Sequence, residues 1–124
     1  MLGQAIAGLP RMTDIVVFVV DTTCGKPAAG IPVTLEKRGE ADDWLVLAHG
    51  RTDESGCIPG FVSGRGKLSA GQYRLVYDTS IYFAAQDLPS MFDEIVVQFV
   101  LGCDERYVLP LLLSPFGYTT YRGS

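Results

Sequence analysis

Two short runs, Ile15–Val20 and Tyr107–Leu113, are apolar on both of the faces that an extended chain would present. In the first, Val16, Phe18 and Val20 oppose Ile15, Val17 and Val19. In the second, Val108, Pro110 and Leu112 oppose Leu109, Leu111 and Leu113. The β-branched content and shortness of these runs read as strands. Neither approaches the roughly 20 residues that a helix needs to cross a bilayer. A strand in a two-sheet sandwich has to bury only one face. The second apolar face therefore lies beneath a partner subunit or lines a ligand cavity, and association of subunits is the simpler of the two.

The rest of the chain alternates short β-rich runs with turn clusters at regular spacing, the pattern of an all-β sandwich. The first strand, Ile15–Asp21, ends at Thr22-Thr23-Cys24-Gly25-Lys26-Pro27. Ile31–Lys37 carries Ile31, Val33 and Leu35 on one face; Trp44–Arg51 follows a polar turn at Glu40–Asp43. Asp53-Glu54-Ser55-Gly56 is a tight acidic turn with a glycine free to take a positive φ. Gly60–Gly66 reads as a loop or ragged edge. Gln72–Asp78 places Tyr73, Leu75 and Tyr77 on one face, and Ser80–Gln86 is the one plausible short helix. Glu94–Leu101, Tyr107–Leu113 and Phe116–Tyr121 complete the strands. The 124 residues suit one domain with one core, residues 1–12 forming a flexible extension.

Composition removes several classes of function. A 48% hydrophobic content argues against a disordered chain, and a net charge of −4 without a basic block argues against nucleic acid as partner. No basic residue precedes the mildly apolar opening, so a secretory signal is not expected, and no Ser-Lys-Leu peroxisomal ending is read. Three widely spaced cysteines (Cys24, Cys57, Cys103) without a CxxC favour reduced thiols in a cytoplasm. No His/Cys/Asp/Glu cluster has metal-ligand spacing and Lys67 belongs to no phosphate loop, so neither metal nor cofactor is expected.

The stretch Leu111-Leu112-Leu113-Ser114-Pro115-Phe116-Gly117-Tyr118-Thr119-Thr120-Tyr121-Arg122-Gly123-Ser124 resembles the ending of the 5-hydroxyisourate hydrolases, the enzymatic branch of the transthyretin family. Val20-Asp21-Thr22-Thr23-Cys24-Gly25-Lys26-Pro27-Ala28 is similar to the family's Leu-Asp-x-x-x-Gly-x-Pro-Ala signature. Trp44, Gly50 to Gly56, Gly71-Gln72-Tyr73, Tyr82-Phe83 and Phe92-Asp93-Glu94-Ile95 fall in the family's order, with Asp93 in place of a proline. The resemblance runs from about Ile15 onward. It implies a transthyretin-like two-sheet β-sandwich with one short helix, assembled as a homotetramer (a dimer of dimers). It also implies pockets where dimers meet, lined by the first strand, the last two strands and the turn after the acidic loop.

The resemblance breaks at the residues it ties to hydrolysis. The position of one catalytic histidine, three before Asp21, holds Phe18. That of the second, two before Pro110, holds Val108, and the family arginine's slot after Ser55-Gly56 holds Cys57. The sole histidine, His49, matches no catalytic position. Hydrolysing an acylurea ring needs an activated water and a donor for the developing oxyanion. Phenylalanine and valine supply neither, and loss of one oxyanion donor alone costs roughly 10²–10³ in rate. Ordinary 5-hydroxyisourate hydrolysis is therefore disfavoured.

By resemblance, the candidate catalytic residues are Cys57, Tyr121, Arg122 and Ser124. Phe18, Val20, Val108, Pro110, Leu112 and Thr119 would line the substrate site. Cys57 is either a thiol poised beside a cation or an inert filler without a base. Arg122 either orients an anionic or carbonyl group or serves a salt bridge, and Tyr121 and Thr119 either contribute hydrogen bonds or pack an interface. His49 and Arg51 share a face that the family layout turns away from the pocket. Asp21, opposite in parity to Phe18, caps the turn that follows it. Three functions stay open. They are a repurposed enzyme acting on a less polar small cyclic substrate, a small-ligand carrier of the transthyretin type, and a 5-hydroxyisourate hydrolase using other groups.

Overall fold

The computed structural model describes residues 14–62, 68–102 and 106–123. Eight strands and one short helix follow in the order β1 (Asp14–Asp21), β2 (Lys26–Pro27), β3 (Pro32–Arg38), β4 (Trp44–Arg51), β5 (Gly71–Tyr77), α1 (Thr79–Ala84), β6 (Ile95–Leu101), β7 (Arg106–Ser114) and β8 (Gly117–Thr120). They form two four-stranded sheets, sheet A in the order β2-β1-β7-β8 and sheet B in the order β4-β3-β5-β6. This is the expected all-β two-sheet sandwich with one short helix. The extension at residues 1–12 and most of the Gly60–Gly66 segment lie outside the described residues, as do Lys67, Cys103 and Ser124.

Alternation decides which side of each strand is buried. Ile15, Val17 and Val19 of β1 meet Leu111 and Leu113 of β7 and the Val33, Leu35, Tyr73 and Leu75 face of sheet B in one core. Burying an aliphatic side chain of this size contributes about 1.5–3 kcal/mol. β1 and β7 run parallel in an unbroken register, from Asp14 opposite Arg106 to Asp21 opposite Leu113. The other strand pairs are antiparallel. The second faces of β1 and β7 behave differently from the first. Val16, Phe18, Val20, Val108 and Leu112 are only half-buried, on the outer side of sheet A.

Asp21 closes the first strand as a hub. It is 2% exposed. One carboxylate oxygen accepts from the backbone N–H of Thr23 at 2.9 Å, capping the turn as expected. The other accepts from the Tyr82 hydroxyl at 2.7 Å. Burial, then this hydrogen bond and the carboxylate charge, push the Tyr82 phenol up to about 12. Phe83, 1% exposed, buries α1 in the core, and Tyr82 latches it to the end of β1.

Two features depart from the expected strand pattern. The short β2, pairing Val20 with Pro27 and Asp21 with Lys26, lies inside what the residue types read as a turn. The final strand is shorter than Phe116–Tyr121, and Pro110 accounts for where it stops. Gly123 N–H donates to Val108 O at 2.7 Å, so the even-numbered residues of β7 turn their backbone polar groups toward β8. Pro110 has no N–H to offer on that side. The regular ladder ends at Leu111 opposite Thr120 and resumes as an isolated bridge between Val108 and Gly123. Thr120 recovers one bond through its hydroxyl, which donates to Pro110 O at 2.8 Å.

Candidate functional site

The outer face of sheet A is built by register. Phe18 stands opposite Pro110 and bridges to Cys57 on its other side, forming one row across the sheet. Val20 stands opposite Leu112, which stands opposite Thr119, forming the next row. Val16, Val108 and Gly123 form a third. Seven of the ten residues singled out from the sequence (Phe18, Val20, Cys57, Val108, Pro110, Leu112 and Thr119) therefore occupy adjacent positions of one surface. Pro110 is buried and most of the others are half-buried. Leu112 and Thr119 also line a shallow depression of about 400 Å³ with Thr22, Ser114, Gly117 and Tyr118.

Cys57 owes its place to the acidic turn. Asp53 Oδ1 accepts from the Ser55 hydroxyl at 2.6 Å, the Ser55 N–H at 2.9 Å and the Cys57 N–H at 3.2 Å. The Ser55 hydroxyl bond is the largest influence on the Asp53 carboxyl, which is held below its ordinary value. Gly56 has φ +79°, and a Cβ there would meet the carbonyl oxygen of Val19 at 2.4 Å. That carbonyl accepts from Ala28 N–H, and Val19 N–H donates to Gly56 O at 2.9 Å. The turn is thus pressed against β1, which sets Cys57 beside Phe18. Among the described residues the Cys57 thiol donates to Ser55 O, at 3.8 Å.

Arg122 lies elsewhere in the single chain. Its guanidinium sits 4.1 Å from the centroid of the Tyr107 ring and donates to Arg106 O at 3.5 Å. Tyr107 belongs to the inner side of β7, so Arg122 faces away from Phe18. Tyr121, 54% exposed, joins Arg122 in lining an apolar cavity of about 310 Å³ with Val97, Phe99, Tyr107 and Leu109, at the open edge between β6 and β8. Arg122 is one residue off the parity that Thr119 and Tyr121 share, and the register from Leu111–Thr120 to Val108–Gly123 is unbroken, so alternation turns it to this side. His49 and Arg51 stand on β4 in sheet B, on the sheet that does not carry Phe18. Cys24 is an exposed free thiol in the turn after β1. Among the described residues no group of three His, Cys, Asp or Glu could hold a metal ion, and no helix is long and apolar enough to cross a membrane.

An eight-stranded sandwich whose first and seventh strands run parallel, with an apolar patch on the outer side of that sheet, defines a transthyretin-like protein. The sequence profile of the HIUase/Transthyretin family matches residues 15–123. The 5-hydroxyisourate hydrolase of Caulobacter vibrioides is 40% identical over 119 residues, covering 91% of this chain and 100% of the relative. That of Salmonella dublin is 39% identical over 109 residues, covering 87% and 79%. Among solved structures, sea bream transthyretin in complex with thyroxine superposes with a TM-score of 0.83 at 30% identity, covering 88% of this chain and 93% of that one. Klebsiella pneumoniae 5-hydroxyisourate hydrolase superposes with a TM-score of 0.77 at 34% identity, covering 89% and 98%. The chain belongs to the HIUase/Transthyretin family.

Proposed function

We propose that this chain is an enzyme of the hydrolase branch whose site has been turned to a less polar small cyclic substrate, held on the outer face of sheet A between subunits of a homotetramer. One observation carries the reading. Along the rows formed by Phe18, Pro110, Val108, Val20 and Leu112, no imidazole or carboxylate is available to activate water. A patch of this composition selects a substrate by shape and by the exclusion of water. It would promote a cyclisation, isomerisation or rearrangement by holding one reactive conformer. Cys57 beside Phe18, with Tyr121, Arg122 and Ser124 supplied by the tail, would provide the polar contacts. Assembly is part of the proposal, since a single chain leaves the patch open and keeps Arg122 stacked on Tyr107.

A second reading is ring hydrolysis of 5-hydroxyisourate by groups other than two histidines and an arginine. The identity of 39–40% to relatives named for that activity favours it. Freshly generated 5-hydroxyisourate separates the two: decay at the spontaneous rate in the presence of protein is expected, and acceleration of several thousand-fold would establish the hydrolase. A carrier of the transthyretin type would instead bind small aromatic ligands without turning over any compound. Light scattering tests the assembly, for which about four times the 13.5 kDa chain mass is expected. A clean monomer would remove the shared site.

A further inference from the structure

Sheet B carries a further, differently built cavity. It measures about 220 Å³ and lies at the β3–β4 hairpin end of sheet B, lined by Arg38, Trp44, Gln72, Gln98 and Val100 together with Tyr73 and Phe99. Arg38 is the one charged residue of that lining. It donates from Nε and Nη2 to the Asp42 carboxylate at 3.0 and 2.5 Å, and from Nη1 to Gln72 Oε1 at 3.0 Å. The last bond fixes the Gln72 amide. Its carbonyl oxygen is taken by Arg38, which leaves the NH2 group to face a ligand.

Donors therefore dominate the walls. Of the five guanidinium N–H groups of Arg38, three are used in these bonds. The indole N–H of Trp44 can only donate. The indole itself is held in place, for the Arg74 guanidinium lies 4.3 Å from its ring centroid and pairs with Glu36 at 2.5 Å. An apolar ligand would strip water from these donors without replacing it, and a cation would face Arg38. Asp42 is no obstacle to an anion. Its side chain is 79% exposed, and ion pairs so open to water contribute little, so a ligand carboxylate can share or take over the guanidinium. The volume lies below the roughly 300 Å³ at which sites for drug-sized ligands begin, which limits the occupant to about one ring.

We propose that this cavity is a binding site for a small single-ring aromatic carboxylate, its ring against Trp44 and its carboxylate on Arg38 and the Gln72 NH2. The site is separate from the outer face of sheet A and does not depend on the function proposed for that face.

Trp44 is the sole tryptophan of the chain, so its fluorescence reports on this cavity directly. The intact protein is titrated with 4-nitrobenzoate and, separately, with its neutral methyl ester, both contact quenchers of indole. Saturable quenching by the acid is expected with a dissociation constant of about 1 mM, the strength suited to a ligand of this size. The ester should bind at least tenfold more weakly. Arg38→Gln should bring the acid to the level of the ester and leave the ester unchanged. Equal saturation by acid and ester, quenching that rises linearly without saturating, or an acid titration unaltered in Arg38→Gln would each overturn the proposal. Should Arg38→Gln fail to fold by far-ultraviolet circular dichroism, Gln72→Leu takes its place. It removes a donor without touching the charge and should weaken the acid severalfold, and an unchanged titration would again overturn the assignment.

Discussion

Cys57 stands directly across from Phe18 in an antiparallel bridge, so the two positions that the resemblance matches to a catalytic arginine and a catalytic histidine are neighbours on one surface. Phe18 in turn faces Pro110, two residues from Val108 in the other histidine slot. The three positions are thus clustered in space, and they can be changed together. Phe18→His, Val108→His and Cys57→Arg in one chain should raise 5-hydroxyisourate hydrolysis by at least about 10²-fold over the parent's rate. A folded triple variant with no gain would show that the groups around those positions have drifted as well.

Gly56 is the position on which the Cys57 placement rests. Gly56→Ala forces a side chain into a left-handed backbone and against the Val19 carbonyl. The expected cost is about 2–4 kcal/mol, from the two penalties together. Denaturant unfolding measures it, and a loss below about 1 kcal/mol would mean that the acidic turn yields easily.

Burial of the Tyr82 phenol, with its hydrogen bond to Asp21, makes stability depend on alkaline pH. A phenol raised from 10.0 to about 12 in the folded chain keeps its proton where the unfolded chain has lost it. Its contribution is whole below pH 10 and falls as pH rises through about 12. Tyr77, raised still further by burial, acts in the same direction. Tyr82→Phe should therefore flatten part of the loss of stability above pH 10. A variant with an unchanged alkaline slope would remove Tyr82 as its source.

Arg122 on the Tyr107 ring is an exposed cation–π contact, worth about 0.5–1 kcal/mol. Arg122→Ala should lower stability by that amount. If Arg122 also serves the shared site, activity or ligand affinity should fall far more than stability does. Parallel small losses in both would confine Arg122 to its packing role.

Pro110→Ala would restore a donor opposite the point where β8 stops. Slower amide exchange at Tyr121 is expected, with the tail drawn into the ladder. Unchanged exchange there would show that something other than the missing N–H ends the strand.

Alternation along each strand revealed the core face correctly, because a half-buried strand writes its burial directly into a period of two. Ile31, Val33 and Leu35, or Tyr73, Leu75 and Tyr77, needed nothing more. The doubly apolar strands also announced an unusual outer face, and residue order was enough to locate Asp21 as a cap. Other features depend on long-range registers that residue types do not encode. Tyr82 reaches Asp21 across 61 residues. Arg122 parts from Phe18 by alternation in the register that joins Leu111 to Thr120 and Val108 to Gly123. The cavity of Arg38, Trp44, Gln72 and Gln98 gathers residues from all four strands of sheet B, and these four look like ordinary surface positions one by one.

The parallel pair at the centre of sheet A has a kinetic consequence. Asp14 meets Arg106, so this pairing closes a loop of roughly ninety residues, whereas β3 meets β4 across a tight hairpin. Loop closure over such a distance is slow, since the entropy is lost before the contacts form. Sheet B should accordingly gain structure first and sheet A last. Pulse-labelled amide exchange during refolding should find Val33 and Leu75 protected before Val17 and Leu111; the reverse order would refute it. The surface on which Phe18 and Cys57 meet would then come into being only at the end of folding, so an incompletely folded chain would lack that surface altogether.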